Sequence, residues 1–423
     1  MKRYINNWRL FSVFFAAGTI MLSACNKELP EPEPIVTPDP TGATILEALD
    51  DANYSFLKAA VTRASTVNSP TGRLTTLLGD RNTVFTFFAP DDNAFKASLT
   101  ALGLPADISS LNFIPPGQLD TIIKYHLIGG QEFTSAKVTP SAPNLNLYLQ
   151  STFMLSAPSA SLPPGYRMPI FIGKQGNFLF ANNVPVIQPD FEVANGVIHK
   201  VAYAQLPPST VLWQRIATDP QLTYLAAAIK KADEGDPAKT LESALLNPAA
   251  NLTVFAPVNT AFQQLLVAQI TPAIIPLITQ QLIAGGMDPA DAAAAAPAMA
   301  QAQATALAST PDVFSNPLLA TVLTPTVVKG MVVYHILGNR AFSVNMPAGM
   351  TSVPTLLNSA IPGHPGVGIQ ATLGMTGVTS ATVKGAANAT AANIAINPLP
   401  GGSSDQHFIN GVLHKLDQVL LPQ

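Results

Sequence analysis

Six histidines and a single cysteine are the side chains of this 423-residue chain best suited to acid–base, nucleophilic or metal chemistry. Four of the histidines lie in two short motifs, a Tyr-His pair and an Asn-Gly-x-x-His element. Each motif occurs twice, as Tyr125-His126 and Tyr334-His335, and as Asn195-Gly196-x-x-His199 and Asn410-Gly411-x-x-His414. The obvious catalytic candidates are therefore also landmarks of a repeat.

The spacing around these histidines favours structural roles. His126 follows Leu119 at the i, i+3, i+4, i+7 spacing of an apolar helix face, and His335 follows Val328 in the same way. A histidine on such a face most often donates a hydrogen bond to a backbone carbonyl. The Asn-Gly pair predicts a turn, after which His199 shares one face of a strand with apolar neighbours. We predict that the motif residues hold the fold together.

Nothing else in the chain predicts catalysis or a cofactor. His364 lies in a Pro-Gly-rich loop that we expect to be solvated, and His407 lies close enough to Asp405 for an Asp/His metal site to be drawn. No paired Cys-x-x-Cys, His-Glu-x-x-His, Gly-x-Ser-x-Gly or phosphate-binding glycine motif supports such chemistry. We predict a protein that is not an enzyme and holds no metal. Glycan hydrolysis by an unrecognised carboxylate pair is the enzymatic alternative.

These two histidine motifs and a third, an apolar strand that ends in Ala-Pro, occur twice in the same order, which predicts a duplicated domain. Each copy opens with helical patterning and then has an apolar strand that ends in Ala-Pro, at Pro90 and at Pro257; proline ends a strand because it lacks the N–H that a sheet requires. The Tyr-His and Asn-Gly-x-x-His motifs follow. We predict domains at residues 42–207 and 209–423.

This ordered set resembles the fasciclin-like domain, a family of extracellular adhesion and binding modules. The resemblance implies an α+β fold in which a wedge of two β-sheets packs with several α-helices, once in each copy. It also implies partner adhesion through Tyr-His and through an Asp-Ile pair, but here Phe191 follows Asp190 and Gln406 follows Asp405. Asp190 and Phe191 are the expected partner contacts, and Trp213 is the expected aromatic platform for a sugar.

The second copy carries an insertion at about residues 264–326. His126 lies 36 positions after Pro90, whereas His335 lies 78 positions after Pro257. Apolar runs on either side of Gly285-Gly286 predict a helical hairpin. We expect it to cover an exposed core edge or to dock a partner. A membrane span over Leu265–Ala284 is long enough, but its prolines and glutamines argue against it.

The amino terminus has the pattern of a lipoprotein signal. Residues 1–24 combine basic residues with an apolar run from Leu10 to Leu22, too short for the roughly 20 residues of a membrane-spanning helix. The Leu-Ser-Ala-Cys ending resembles a lipobox that leaves Cys25 as the lipidated first residue, and Asn26 after it resembles outer-membrane sorting. Residues 25–41 form an acidic, proline-rich tether.

Charge and composition narrow the partners. The net charge of −3, with 11% charged residues against roughly 25% in typical soluble proteins, gives no basic footprint for nucleic acid. We predict a lipid-anchored adhesion or binding protein of the cell envelope, an outer-membrane lipoprotein that faces outward or, alternatively, the periplasm. Its partners would be an extracellular protein or polysaccharide. A glycan-capture lipoprotein beside an uptake system and a structural matrix protein are the alternatives, and the oligomeric state stays open.

Overall fold

A computed structural model describes residues 41–69, 72–138, 148–154, 162, 165–374 and 377–423. Residues 41–423 form one compact unit. The signal segment, Cys25 and the tether through residue 40 lie outside the described residues. We call residues 42–207 the first repeat and residues 209–423 the second repeat; the domain boundaries themselves remain predictions.

Both repeats mix helices and strands, which confirms the α+β class. The helices of the first repeat are α1 (Ile45–Ala48), α2 (Ser55–Ala64), α3 (Leu74–Gly79), α4 (Asp92–Ala101) and α5 (Pro116–Tyr125). Its strands are β1 (Phe85–Pro90), β2 (Leu127–Gly129), β3 (Tyr148–Met154), β4 (Arg167–Gln175), β5 (Phe178–Ala181), β6 (Val184–Val193) and β7 (Gly196–Val201).

The second repeat follows the same order with one helix pair added. Its helices are α6 (Leu212–Thr218), α7 (Thr223–Ala232), α8 (Thr240–Leu246), α9 (Asn259–Ala284), α10 (Pro289–Leu307), α11 (Pro325–Tyr334) and α12 (Leu357–Ala360). Its strands are β8 (Leu252–Pro257), β9 (Ile336–Leu337), β10 (Thr351–Val353), β11 (Val367–Gly374), β12 (Gly377–Lys384), β13 (Ala392–Ile394), β14 (Gln406–Phe408) and β15 (Gly411–Leu416).

The Ala-Pro strand of each repeat pairs with a neighbouring strand on both sides. In the first repeat β1 pairs parallel with β7 and antiparallel with β2, and all six residues of β1 are buried. In the second repeat β8 pairs in the same way with β15 and β9. The strands of the first repeat close into a barrel in the order β1 to β7, whereas those of the second form an open sheet in the order β10-β11-β12-β13-β15-β8-β9, with β14 on β15.

Alternation along β1 divides each repeat into two apolar clusters. Phe85 and Phe87 point to the helices, while Phe88 points into the barrel, because successive strand residues face opposite sides. In β8, Val254 packs against the helices, whereas Phe255 packs on the other side with residues of the neighbouring strands. The central strand therefore needs apolar residues at every position, which explains its unbroken hydrophobic run.

Gly196 is required where β7 approaches β1. Its φ is +136°, and a Cβ built on it would lie 1.8 Å from the carbonyl oxygen of Phe85. Only glycine accepts both the backbone angle and the close approach. Gly411, its counterpart in β15, would place a Cβ 2.4 Å from the carbonyl oxygen of Leu252.

The insertion is a helical hairpin, as predicted, but its first helix is longer than expected. The sequence suggests separate helices around Phe262 and after residue 274, whereas α9 runs unbroken from Asn259 to Ala284 and contains Pro272 and Pro276. Both prolines are exposed, so water can bond the carbonyls that lose their helical partners.

The two helices of the hairpin pack along small residues. Alanines at four-residue spacing on α10 are buried, at Ala292, Ala296, Ala300 and Ala304. Ile278 of α9 packs on them, while the earlier part of α9 buries Phe262 and Leu266 in the core of the second repeat. By length and composition alone, α9 could cross a membrane: its mean hydropathy is 1.5, with 28% of the window buried.

Candidate functional site

The Tyr-His motif of the first repeat lies where α5 ends and β2 begins. His126 follows the last residue of α5, and its Nδ1 donates to the carbonyl of Ile122 at 2.8 Å. Its Nε2 accepts the backbone N–H of Gln205, also at 2.8 Å. The imidazole thereby joins the end of a helix to the chain that leaves β7. Both ring nitrogens are occupied by backbone groups.

The second repeat reproduces these bonds. His335 follows α11, its Nδ1 donates to the carbonyl of Met331 at 2.8 Å, and its Nε2 accepts the N–H of Leu420 at 2.8 Å. The partner tyrosines differ. Tyr334 donates to the carbonyl of Gly366 at 2.6 Å, whereas Tyr125 lies at the contact between the repeats.

Asn195 joins three segments of the first repeat. Its Oδ1 accepts the N–H of Ile45 at 2.7 Å, and its Nδ2 donates to the carbonyls of Leu78 and Asp80 at 2.9 and 3.0 Å. An amide is suited to this position because it carries a donor and an acceptor on one planar group. The Asn-Gly pair thus ties α1 and the end of α3 to β7.

Asn410 makes the equivalent set of bonds in the second repeat. Its Oδ1 accepts the N–H of Leu212 at 2.9 Å, and its Nδ2 donates to the carbonyls of Leu245 and Asn247 at 2.8 and 3.0 Å. Two asparagines separated by 215 positions therefore make equivalent bonds, each within its own repeat.

His199 fixes the turn that carries Asp190. Its Nε2 donates to the carbonyl of Phe133 at 2.8 Å, and its Nδ1 accepts the N–H of Asp190 at 3.1 Å. Asp190 has a φ of +59°, and its carboxylate accepts both the N–H and the hydroxyl of Ser135. The counterparts in the second repeat are His414, Ala341, Asp405 and Ser343.

Burial keeps three of the motif histidines, His126, His335 and His199, neutral. It lowers the pKa of His126 and of His335 from the ordinary 6.5 to about 4, and it lowers the pKa of His199 as well. A neutral imidazole whose donor and acceptor are both used by the backbone has no free lone pair for a proton or a metal. The bonds of these histidines instead hold separate segments of the backbone together.

His407 lies at the contact between the two repeats. Its ring stands 6.3 Å from that of Phe171 and 5.3 Å from that of Phe342, and its Nδ1 lies 3.5 Å from the Tyr125 hydroxyl. Burial first, and then the cation of Arg340, lower the pKa of His407 well below its usual range. Among the described residues, no cluster of three or more His, Cys, Asp and Glu could hold a metal.

Arg340 is the second member of this contact and is only 2% exposed. Its guanidinium bonds Nε2 of His407, Oδ1 of Asn251 and the carbonyl of Phe408, and its Cζ lies 4.7 Å from the ring centre of Phe171. No carboxylate of a described residue lies within ion-pair distance. Burial lowers the pKa of Arg340 to about 10, which leaves it charged at neutral pH.

The first repeat leaves room for this contact at Gly173 of β4. A Cβ there would lie 2.1 Å from Nδ2 of Asn345. Beside it, Gln175 donates to the carbonyl of Met346 at 3.0 Å. The chain thus places a side-chain-free position where the second repeat comes closest.

Matching bonds show which residues of the first repeat correspond to the contact residues. Thr86 donates to the carbonyl of Gln131, and Thr253 donates to the carbonyl of Asn339, so Glu132 is the counterpart of Arg340. Counting from Asp190 and Asp405 places Phe191 opposite Gln406, and Glu192 opposite His407. The repeats aligned by sequence would have shown this charge reversal, which motif searching missed.

These counterparts lie in different environments. Glu132, Phe191 and Glu192 are exposed, with Phe191 at 51%, whereas Arg340 and Gln406 are buried. The positions of Arg340 and His407, which contact the first repeat, are therefore open in the first repeat at Glu132 and Glu192. Gln406, the counterpart of Phe191, is instead buried within its own repeat, where it donates to the carbonyls of Leu399 and Ser404. We call the exposed segment Asp190-Phe191-Glu192 of β6, together with Glu132, the Phe191 face; the side chains of Phe191 and Glu192 lie on opposite sides of the strand.

Two expectations need correction. Trp213 is 9% exposed and packs in the core of the second repeat, since α6 turns its apolar side inward, so its ring is not a surface platform. His364 is 7% exposed: its ring stands 5.1 Å from that of Tyr334, and its Nδ1 accepts the N–H of Gly366. The surrounding prolines and glycines turn the loop back onto the sheet.

A family model matches most of the first repeat. Residues 55–207 match the family model of the fasciclin domain. The chain is also similar to a solved FAS1 domain pair from the insect cell adhesion molecule fasciclin I, at 13% identity, with 89% of this chain and 95% of that chain covered and a TM-score of 0.31. No curated protein matched the sequence.

Proposed function

We propose that this protein is a non-catalytic adhesion or binding protein of the cell envelope, with two fasciclin domains held behind a lipid anchor at Cys25. The family match to residues 55–207 supports the first domain, and fasciclin domains are typically binding modules. The bonds of Asn410, His335 and His414 repeat those of the first domain and support the second.

The engaged histidines support binding without catalysis. A general base needs an accessible nitrogen near its substrate, and a metal ligand needs a free lone pair. In each motif histidine one nitrogen donates to a carbonyl and the other accepts an N–H. Removing either bond would leave a buried backbone group unpaired, so the fold itself opposes such use.

The single observation that carries the proposal is the exposure of the Phe191 face. Phe191 is half exposed, the neighbouring side chains Glu132 and Glu192 of this segment are exposed too, and the preceding residue, Asp190, is held by Ser135 and His199. A rigidly supported aromatic side chain at the surface is the kind of residue that dominates binding energy at protein interfaces. The acidic neighbours favour a partner with basic residues around an apolar pocket.

Only the first domain presents this face. In the second domain, the counterparts of Glu132 and Glu192 are Arg340 and His407, which contact Phe171, and the counterpart of Phe191 is Gln406, which is buried within that domain. The two domains therefore do not act as two equal binding sites. The second domain instead supports the first at a fixed orientation and carries the helical hairpin as a separate surface.

Binding by the Phe191 face is tested with Phe191→Ser. We expect the purified protein to bind cells and extracellular material of the producing bacterium at least about tenfold more weakly, since exposed aromatic anchors contribute about 2 kcal/mol or more. Phe178→Ser removes another half-exposed phenylalanine, the first residue of β5, and this variant is expected to bind normally. Equal binding by both variants would exclude the Phe191 face as the contact.

The anchor has its own test. Cys25→Ser is expected to abolish incorporation of labelled palmitate and to release the protein from membranes, because no acyl chain can be attached. Asn26→Asp keeps the cysteine and serves as the matched control: it should remain lipidated but leave the outer-membrane fraction. Membrane retention of unlipidated Cys25→Ser protein would contradict the proposed anchor.

A further inference from the structure

A cleft beside β3 in the first repeat has the chemistry of a sugar-binding site. It has a volume of about 720 Å³ and lies between β1, β2 and β3. That volume is within the usual range of small-ligand sites, roughly 300 to 1,000 Å³. We call it the β3 cleft; the residues used below are Gln131, Tyr148, Gln150, Thr152 and Arg167, all among its lining.

Arg167 supplies the only charge among the described residues that line the β3 cleft. It stands opposite Met154 in the β3–β4 ladder, and one nitrogen, Nη1, donates to the carbonyl of Thr152 at 3.1 Å. The other N–H groups of its guanidinium have no acceptor among the described residues. A guanidinium held at one nitrogen presents the rest of its planar fork to a ligand, and that fork matches a carboxylate.

The other side chains suit the body of a sugar. Tyr148 is 51% exposed, and its ring is held 5.7 Å from that of Phe171, so it offers an oriented aromatic face. Gln131 and Gln150 are exposed, and their amides bond no described residue. Amide groups can both donate to and accept from hydroxyls. No acidic side chain of the described residues lines the β3 cleft to repel a carboxylate.

We propose that the β3 cleft binds a short stretch of uronic-acid polysaccharide, with Arg167 pairing the carboxylate and Tyr148 packing against the ring. This inference rests on the proposed binding function and names a chemical class for its polysaccharide partner. It concerns a surface distinct from the Phe191 face. The proposals for the two surfaces can therefore be tested independently of each other.

The test is titration of the purified protein with a galacturonic acid tetrasaccharide and with the same tetrasaccharide reduced to neutral galactose. We expect the acidic form to bind at least about tenfold more tightly, as for a hydrogen bond to a charged group. Arg167→Gln should remove that preference. Tyr148→Ala should weaken both sugars, and thermal unfolding of each variant confirms its fold.

Matched variants separate the β3 cleft from other sources of affinity. Arg63→Gln removes an arginine that also donates to a backbone carbonyl, that of Asn112, but lies outside the cleft, and it should bind like the unaltered protein. Phe191→Ser should also keep the acidic sugar while losing its adhesion partner. Equal affinity for both sugars, no binding of either, or equal losses in Arg63→Gln and Arg167→Gln would overturn the proposal.

Discussion

Replacing Asn195 or Asn410 by alanine is expected to lower the free energy of unfolding by about 4 kcal/mol. Each asparagine bonds three backbone groups, two of which are buried, and its loss leaves those two without partners. Unpaired buried groups cost about 1 to 3 kcal/mol each, so the effect exceeds that of an ordinary surface change. Urea unfolding at pH 7 measures it.

The matched control is Asn112→Ala. Asn112 is exposed, and no described residue bonds its side chain, so the change should alter the free energy of unfolding by less than about 0.5 kcal/mol. Similar small losses in all three variants would show that the Asn-Gly elements do not hold the repeats together. A large loss in Asn195→Ala alone would limit that role to the first repeat.

Mild acid is expected to destabilise the protein strongly. His126 and His335 stay neutral in the fold down to a pKa of about 4, whereas in the unfolded chain they take up a proton near pH 6.5. Between these values the unfolded state binds protons that the folded state does not, so the free energy of unfolding falls as the pH falls. From pH 7 to pH 5 each histidine should cost about 2 kcal/mol.

This pH window distinguishes the histidines from the carboxylates. Acidic groups with a lowered pKa, such as Asp219, begin to lose their stabilising effect only near their unfolded pKa of about 4. Urea midpoints at pH 7, 6 and 5 therefore report on the histidines, and midpoints between pH 7 and 8 provide a nearly flat reference. Unchanged stability between pH 7 and pH 5 would show that His126 and His335 are protonated within the fold.

Much of the fold could be predicted because its signals are local. Proline after an apolar run ends β1 and β8, and the i, i+3, i+4, i+7 spacing places the histidines at the ends of α5 and α11. The glycine pair and Asp288 place the turn and the second helix of the hairpin. Each of these features depends on residues a few positions apart, whose geometry is nearly the same in any fold.

Burial at particular positions could not be predicted in this way. We expected Trp213 and His364 at the surface, yet residues from distant parts of the chain cover both side chains. The apolar run after residue 274 suggested a helix separate from that of Phe262, whereas α9 is continuous, because packing against α10 outweighs the hydrogen bonds lost at two prolines. Local propensity is a small free energy, and tertiary contacts override it.

By itself, the order of motifs predicted that one unit occurs twice, and the spacing within the motifs predicted structural roles for their histidines. Only the tertiary structure decided which copy of the shared face is buried. Tyr125 and His407, 282 positions apart, meet at that contact, and Arg340 is buried beside them. Local patterns cannot encode such a meeting, because it depends on how two complete sheets pack. That packing leaves Glu132 and Glu192 exposed, whereas their counterparts Arg340 and His407 lie at the contact.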